Sequence, residues 1–165
     1  EAAPADALFA SGAASAMWAT SDVNTCGSSR NRACLTYSIY TETNVALAAI
    51  LGQHRGLFGG KAATAAIVAR HDAGSIAKNR YPAGVADAYE ANGKTDWWLP
   101  SKDEMGKMAE NLNNRGVGDF STDSYWTSSE TIADNTAAWS QNFYYDRQLN
   151  QSKNNLFSVR PVRAF

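Results

Sequence analysis

The stretch Asp96-Trp97-Trp98-Leu99-Pro100-Ser101-Lys102-Asp103-Glu104-Met105 decides the fold. Its first half is aromatic and apolar, suited to an extended segment, and its second half opens a helix. Pro100 has no amide hydrogen for a ladder and stops the extended run. Ser101 lies three residues before Glu104, the spacing of a capping box, in which the hydroxyl and the carboxylate satisfy each other's backbone amides. Met105, Met108 and Leu112 then fall on one helical face and are expected in the core. Trp97 and Trp98 point to opposite sides of an extended chain, so one is expected inside and the other over an edge or a partner.

Working outward, Asn92-Gly93 reads as a turn, and Gly56 to Gly60 as another. Between them, Lys61 to His71 has the Ala-rich pattern of a helix ended by Gly74. A second helix is expected from Ser75, broken near Pro82 and resuming over Val85 to Ala91. Leu35 to Tyr40 alternates as a strand. Beyond Phe120 only short strands are expected, over 124–129, 138–143 and 158–165, with Pro161 placing the last at an edge or bulge. Tyr144 to Asn155 reads as a polar loop. The expected architecture is α+β, in a single domain over residues 1–165.

The chain has 165 residues, 44% of them hydrophobic and 11% aromatic, which suits one globular domain with a core. Its longest apolar runs, 45–51 and 62–69, fall far short of the roughly 20 residues that cross a bilayer. A net charge of -1 argues against a generally basic nucleic-acid binder. Glu1-Ala-Ala-Pro4 reads as a cut edge or a mature start, with no export signal in view. Cys26 and Cys34 share a Gly/Ser/Asn/Arg loop far in sequence from His54 and His71. A disulfide is the leading reading for such a weakly packed loop and would place the domain outside the cytosol; free thiols are the alternative, and a redox or metal role is the least favoured.

Four motifs in order, Asp96 to Met105, Tyr125-Trp-Thr-Ser-Ser-Glu130, Ala138-Trp-Ser-Gln-Asn-Phe143 and Val159-Arg-Pro-Val-Arg-Ala-Phe165, resemble the Lcl C-terminal domain family, named for the C-terminal domain of a collagen-like adhesin. Gly59 to Ile67 fits that family's upstream helix, so the resemblance covers about residues 56–165. It implies a fold akin to C-type lectins and the formylglycine-generating enzyme: two or three helices beside short, twisted, mostly antiparallel strands with long loops. It further implies an extracellular or cell-surface adhesin domain, presented as a homotrimer, that binds sulfated glycosaminoglycans of the heparin or chondroitin sulfate type. Other members are display proteins diversified by retroelements.

Charge placement says more than net charge. Residues 28–80 carry seven Lys and Arg against Glu42 and Asp72, a balance of +5 before the histidines. Arg forks and Lys point charges suit sulfate oxyanions. The candidate polyanion-binding residues are therefore Arg30, Arg32, His54, Arg55, Lys61, Arg70, Lys78 and Arg80, with Arg147 and Lys153 from the basic tail. A second candidate surface is the Tyr/Asn/Ser-rich stretch with Asn142, Tyr144, Tyr145, Asp146 and Asn150, whose residue types suit an adaptable protein-binding loop. Arg160 and Arg163 are expected instead as internal partners of Asp96 or Glu130. No catalytic set, cofactor motif or membrane insertion is expected. Asp103 and Glu104 read as helix N-terminal charges, and Asp134, Asn135 and Asp146 fall short of a calcium site.

Overall fold

The computed structural model describes residues 1–19, 59–131 and 137–164. Three helices, α1 (Gly59–Ala73), α2 (Pro82–Asp87) and α3 (Lys102–Asn111), are joined to an antiparallel sheet ordered β1 (Ser124–Glu130), β2 (Ala137–Asn142) and β3 (Arg147–Ser152). The architecture is α+β, as expected.

The central stretch behaves as its residues dictate. Ser101 caps α3 through a full capping box, its Oγ accepting from the Glu104 amide at 3.2 Å while Glu104 Oε2 accepts from the Ser101 amide at 2.8 Å. Just before it, Thr64 of α1 clamps Leu99: its Oγ1 donates to the Leu99 carbonyl and accepts from the Leu99 amide. This close crossing explains why Gly59 and Gly60 are already helical, where a turn was expected. A Cβ on Gly60 would strike Glu104 Oε2 and would stand 2.7 Å from the Ser101 nitrogen, so the helix needs glycine there.

Three other expectations are corrected. No helix starts at Ser75, which sits at φ +58° and helps end α1; α2 starts at Pro82 itself, whose fixed φ and missing amide suit a helix's first position. The polar stretch expected as a loop from 144 to 155 contains β3, which pairs with β2 from Asn142↔Arg147 to Ala137↔Ser152. The strand expected over 158–165 is not regular over its described residues, 158–164. It is stitched in by single bridges, Tyr125↔Ser158, Ala2↔Val162 and Trp98↔Val162, on either side of Pro161.

The sheet is covered on both faces, which is why β1 is buried almost throughout and shows no alternation. Trp126 and Ala138 face a core with Trp18, Ile67, Tyr81, Leu99 and Val159. Tyr125 faces a second core with Trp98, Met105, Met108, Phe143 and Val162. Trp97 and Trp98 both end up buried, at 3% and 5% exposure, because the C-terminal segment covers the side that was expected to meet an edge or partner. Trp97 packs edge-on against Tyr89, and Arg163 lies over its ring.

Candidate functional site

Arg30, Arg32, His54 and Arg55 lie outside the described residues, as do Cys26 and Cys34, the 35–40 strand, Asp134 and Asn135. The rest of the basic set divides sharply. Lys61 is exposed in the first turn of α1, with its Nζ 5.5 Å from the centre of the Trp98 ring. Arg70, nine residues on, is half-buried on the opposite side of the helix and about 13 Å further along it. Lys78 is tied to Asp87 at 2.6 Å, a hydrogen bond that raises its pKa, and Arg80 is exposed beside it. The described cations of 59–80 are thus spread around α1 and the turn that follows.

Lys153 is a correction. Its side chain is fully buried, paired with the buried Glu130 and placed 4.5 Å over the Trp18 ring, so it holds the fold together where a polyanion contact was expected. Arg160 is internal as expected, but its carboxylate partner is Asp6 at 2.6 Å, where Asp96 or Glu130 was anticipated. Its other nitrogens donate to the carbonyls of Ala3, Gly118 and Asp119, and Asp6 also accepts from Tyr125 Oη at 2.8 Å. Arg163 does meet Asp96, at 2.8 and 3.2 Å, and also Glu1. The hydrogen bonds from Arg163 hold the Asp96 carboxyl below the usual carboxylate range.

The second candidate surface and Arg147 gather in the turn between β2 and β3 and along β3, the outer strand of the sheet among the described residues. In the turn between β2 and β3, Tyr144 and Tyr145 are 67% and 62% exposed and meet edge to face at 4.8 Å. The turn is held by its own polar side chains: Asn142 Oδ1 accepts from the Tyr145 amide at 2.8 Å, and Asp146, at φ +46°, accepts from Asn114 Nδ2 at 3.0 Å. The Arg147 guanidinium stacks 4.9 Å from the Tyr145 ring. Asn150 pairs across the strands with Trp139 and bonds to Thr131.

Three residues on this edge escaped the sequence reading. Lys102 Nζ sits 4.1 Å over the Trp139 ring, and Gln148 Nε2 donates to the Lys102 carbonyl at 2.5 Å. Alternation along β3 sends Arg147 and Gln148 to opposite faces, so Arg147 and Lys102 straddle the edge strand. Neither ion-pairs with a carboxylate among the described residues. Lys102 and Trp139 stand 37 positions apart, with no local spacing to betray them; the one available signal was a lysine directly after a helix cap, where acids are the rule.

The chain is therefore a mixed α+β domain that uses several charges as internal joints and sets aromatic-backed cations along the β3 side of its described sheet. The Lcl C-terminal domain model matches residues 16–163, and the chain belongs to that surface-adhesin-type family. The match reaches back well beyond residue 56, where the motif resemblance began. Comparison with curated proteins yields no match. No described helix is long and apolar enough to cross a membrane.

Proposed function

We propose that this is the non-catalytic ligand-binding domain of an extracellular bacterial adhesin, and that it recognises sulfated glycosaminoglycans as a homotrimer. The observation that carries the glycan reading is the pair Arg147 and Lys102, each seated on an aromatic ring at the sheet edge and neither bound to a carboxylate among the described residues. Cations so placed keep their field for an incoming anion, and the rings hold them without neutralising them. Assembly would multiply weak single-site contacts. The test is retention on immobilised heparin across a salt gradient, with molar mass followed by light scattering. Retention that weakens as salt rises is expected, since exposed charges are screened over about 8–10 Å at physiological ionic strength. No retention at low salt removes the glycan reading, and a monomer's mass removes the trimer.

A second reading rests on the exposed Tyr144–Tyr145 pair. A firmly held turn that presents two rigid aromatic side chains suits capture of a protein ligand at low entropic cost, as in a retroelement-diversified display protein. A near-copy of the coding sequence for this turn, beside a reverse transcriptase gene, would favour it.

A further inference from the structure

On the β1 side of the sheet, where Ser124 pairs with Asn142, lies a cleft of about 380 Å³ whose lining includes Thr122, Asp123, Ser124, Asn142, Phe157 and Ser158. The volume falls within the range of about 300–1,000 Å³ typical of small-molecule sites. Its walls are fixed. Phe157 exchanges backbone hydrogen bonds with Ala16 at 3.1 and 3.2 Å and packs against Trp126 at 4.6 Å. Asn142 Nδ2 donates to Ser124 Oγ at 3.1 Å while its oxygen holds the Tyr145 amide.

Ser158 is the telling residue. Its amide donates to the Ser124 carbonyl and its own carbonyl accepts from the Trp126 amide, so strand pairing uses up its backbone. The residue as a whole is only 6% exposed, and its hydroxyl hydrogen-bonds to no described residue. That hydroxyl opens on the cleft, where it can donate to and accept from whatever occupies it. The Thr122 hydroxyl is likewise without a described partner, and Asp123 Oδ2 accepts only a long 3.5 Å bond from Ser121.

We propose that this cleft binds an uncharged pyranose ring of a glycan. Sugar hydroxyls both donate and accept. A lining of four hydroxyls (Ser15, Thr122, Ser124 and Ser158), one amide and one carboxylate answers both needs. Phe157 and the neighbouring Leu156, which is 63% exposed, offer an apolar wall to the C–H face of the ring. A single carboxylate is too few for a hard cation, which takes several oxygen ligands. The proposal rests on the glycan reading above and deepens it: Asn142 faces Arg147 across β2 and β3, so a ring held in the cleft would bring a charged substituent to that guanidinium.

The test uses the full chain, labelled with nitrogen-15, and two probes: a heparin tetrasaccharide and its fully desulfated, N-acetylated counterpart. The desulfated probe is expected to shift the amide signals of Thr122, Ser124, Asn142 and Ser158, with little change between low and high salt. Asp123→Asn on the exposed rim and Ser158→Ala within are each expected to weaken it about tenfold, the worth of one good hydrogen bond. Should Ser158→Ala fail to fold, Asp123→Asn decides alone. No shift with the desulfated probe up to about 10 mM, a concentration beyond ordinary weak binding, overturns the cleft, and so do shifts confined to other surfaces. Heparin binding without desulfated binding leaves the glycosaminoglycan reading standing and removes this one; the reverse result does the opposite.

Discussion

The C-terminal segment around Arg160 and the turn ending at Arg147 contain the same chemistry used in opposite ways. Arg160 is 2% exposed, and each of its nitrogens meets an acceptor on the N-terminal segment or the loop at 118–119. Arg147 is exposed and rests on a tyrosine ring. Both sit in a basic tail that looks uniform in sequence. Burial decides the role: a cation taken out of water must be matched group for group, whereas one left in water gains little from any single partner. Basic residues in this family are therefore counted as ligand contacts only after the internal joints are set aside.

The difference predicts a steep gradient of stability effects. Arg160→Ala is expected to cost the most, about 3–5 kcal/mol, because it removes the ion pair to Asp6 and leaves three carbonyls without their donor. Arg160→Lys should recover little of the loss, since an ammonium cannot serve the same fork of acceptors. Chemical denaturation checks both; an effect under about 1 kcal/mol would show that burial does not separate the two arginines.

Next comes the pair of Lys153 and Glu130. Glu130→Ala leaves a lysine charge inside and is expected to cost about 3 kcal/mol or more. The double replacement Lys153→Met with Glu130→Leu removes both charges and fills similar space, so it should restore most of that loss. If the double variant is as unstable as the single, the pair's value lies in its geometry and not in mutual neutralisation.

His71 sharpens the same contrast with a group whose charge can be switched. It is 4% exposed and stacked on Tyr81 at 3.9 Å. Burial lowers its pKa from 6.5, opposed in part by its hydrogen bond to the Ile67 carbonyl. The unfolded chain therefore takes up a proton more readily than the folded one below pH 6.5. The stabilisation is complete above that value and is lost as pH falls through the lower folded pKa. The denaturation midpoint is expected to drop on acidification from about pH 7 to about pH 5, and His71→Phe to flatten that part of the profile. An unchanged slope in the variant would assign the acid sensitivity to the carboxylates.

What could be read from the sequence follows the range of each interaction. The capping box, the α3 core face and the role of Arg163 were legible, because Ser101 and Glu104 are neighbours and Asp96 opens the strongest motif. Strand β3 was not: apart from Leu149, Arg147 to Ser152 is polar on both faces, and only its pairing with β2 makes it a strand. The partners of Arg160 lie 154 residues away at Asp6 and 41 to 42 away at the 118–119 loop, and no periodicity encodes such a meeting. For the candidate site, the Tyr144–Tyr145 turn was visible from composition. Lys102 and Trp139 meet only once α3 packs on the sheet. Lys153 was misassigned because a basic residue among asparagines looks solvated.

The smallest expected effect on stability is the most telling for function. Arg147→Ala removes a side chain that holds no carboxylate among the described residues, so the folding free energy should change by no more than about 0.5 kcal/mol. Its loss should nonetheless lower the salt concentration that elutes the domain from heparin, and reduce the slope of log affinity against log salt by about one, as expected when one cation no longer displaces a counterion from a polyanion. Lys102→Ala should act alike on elution, with a slightly larger stability cost because its stem covers Trp139. Read together, a variant that is stable but weakly retained marks the outer cations as the contact surface. One that is stable and fully retained moves the contact surface away from the sheet edge.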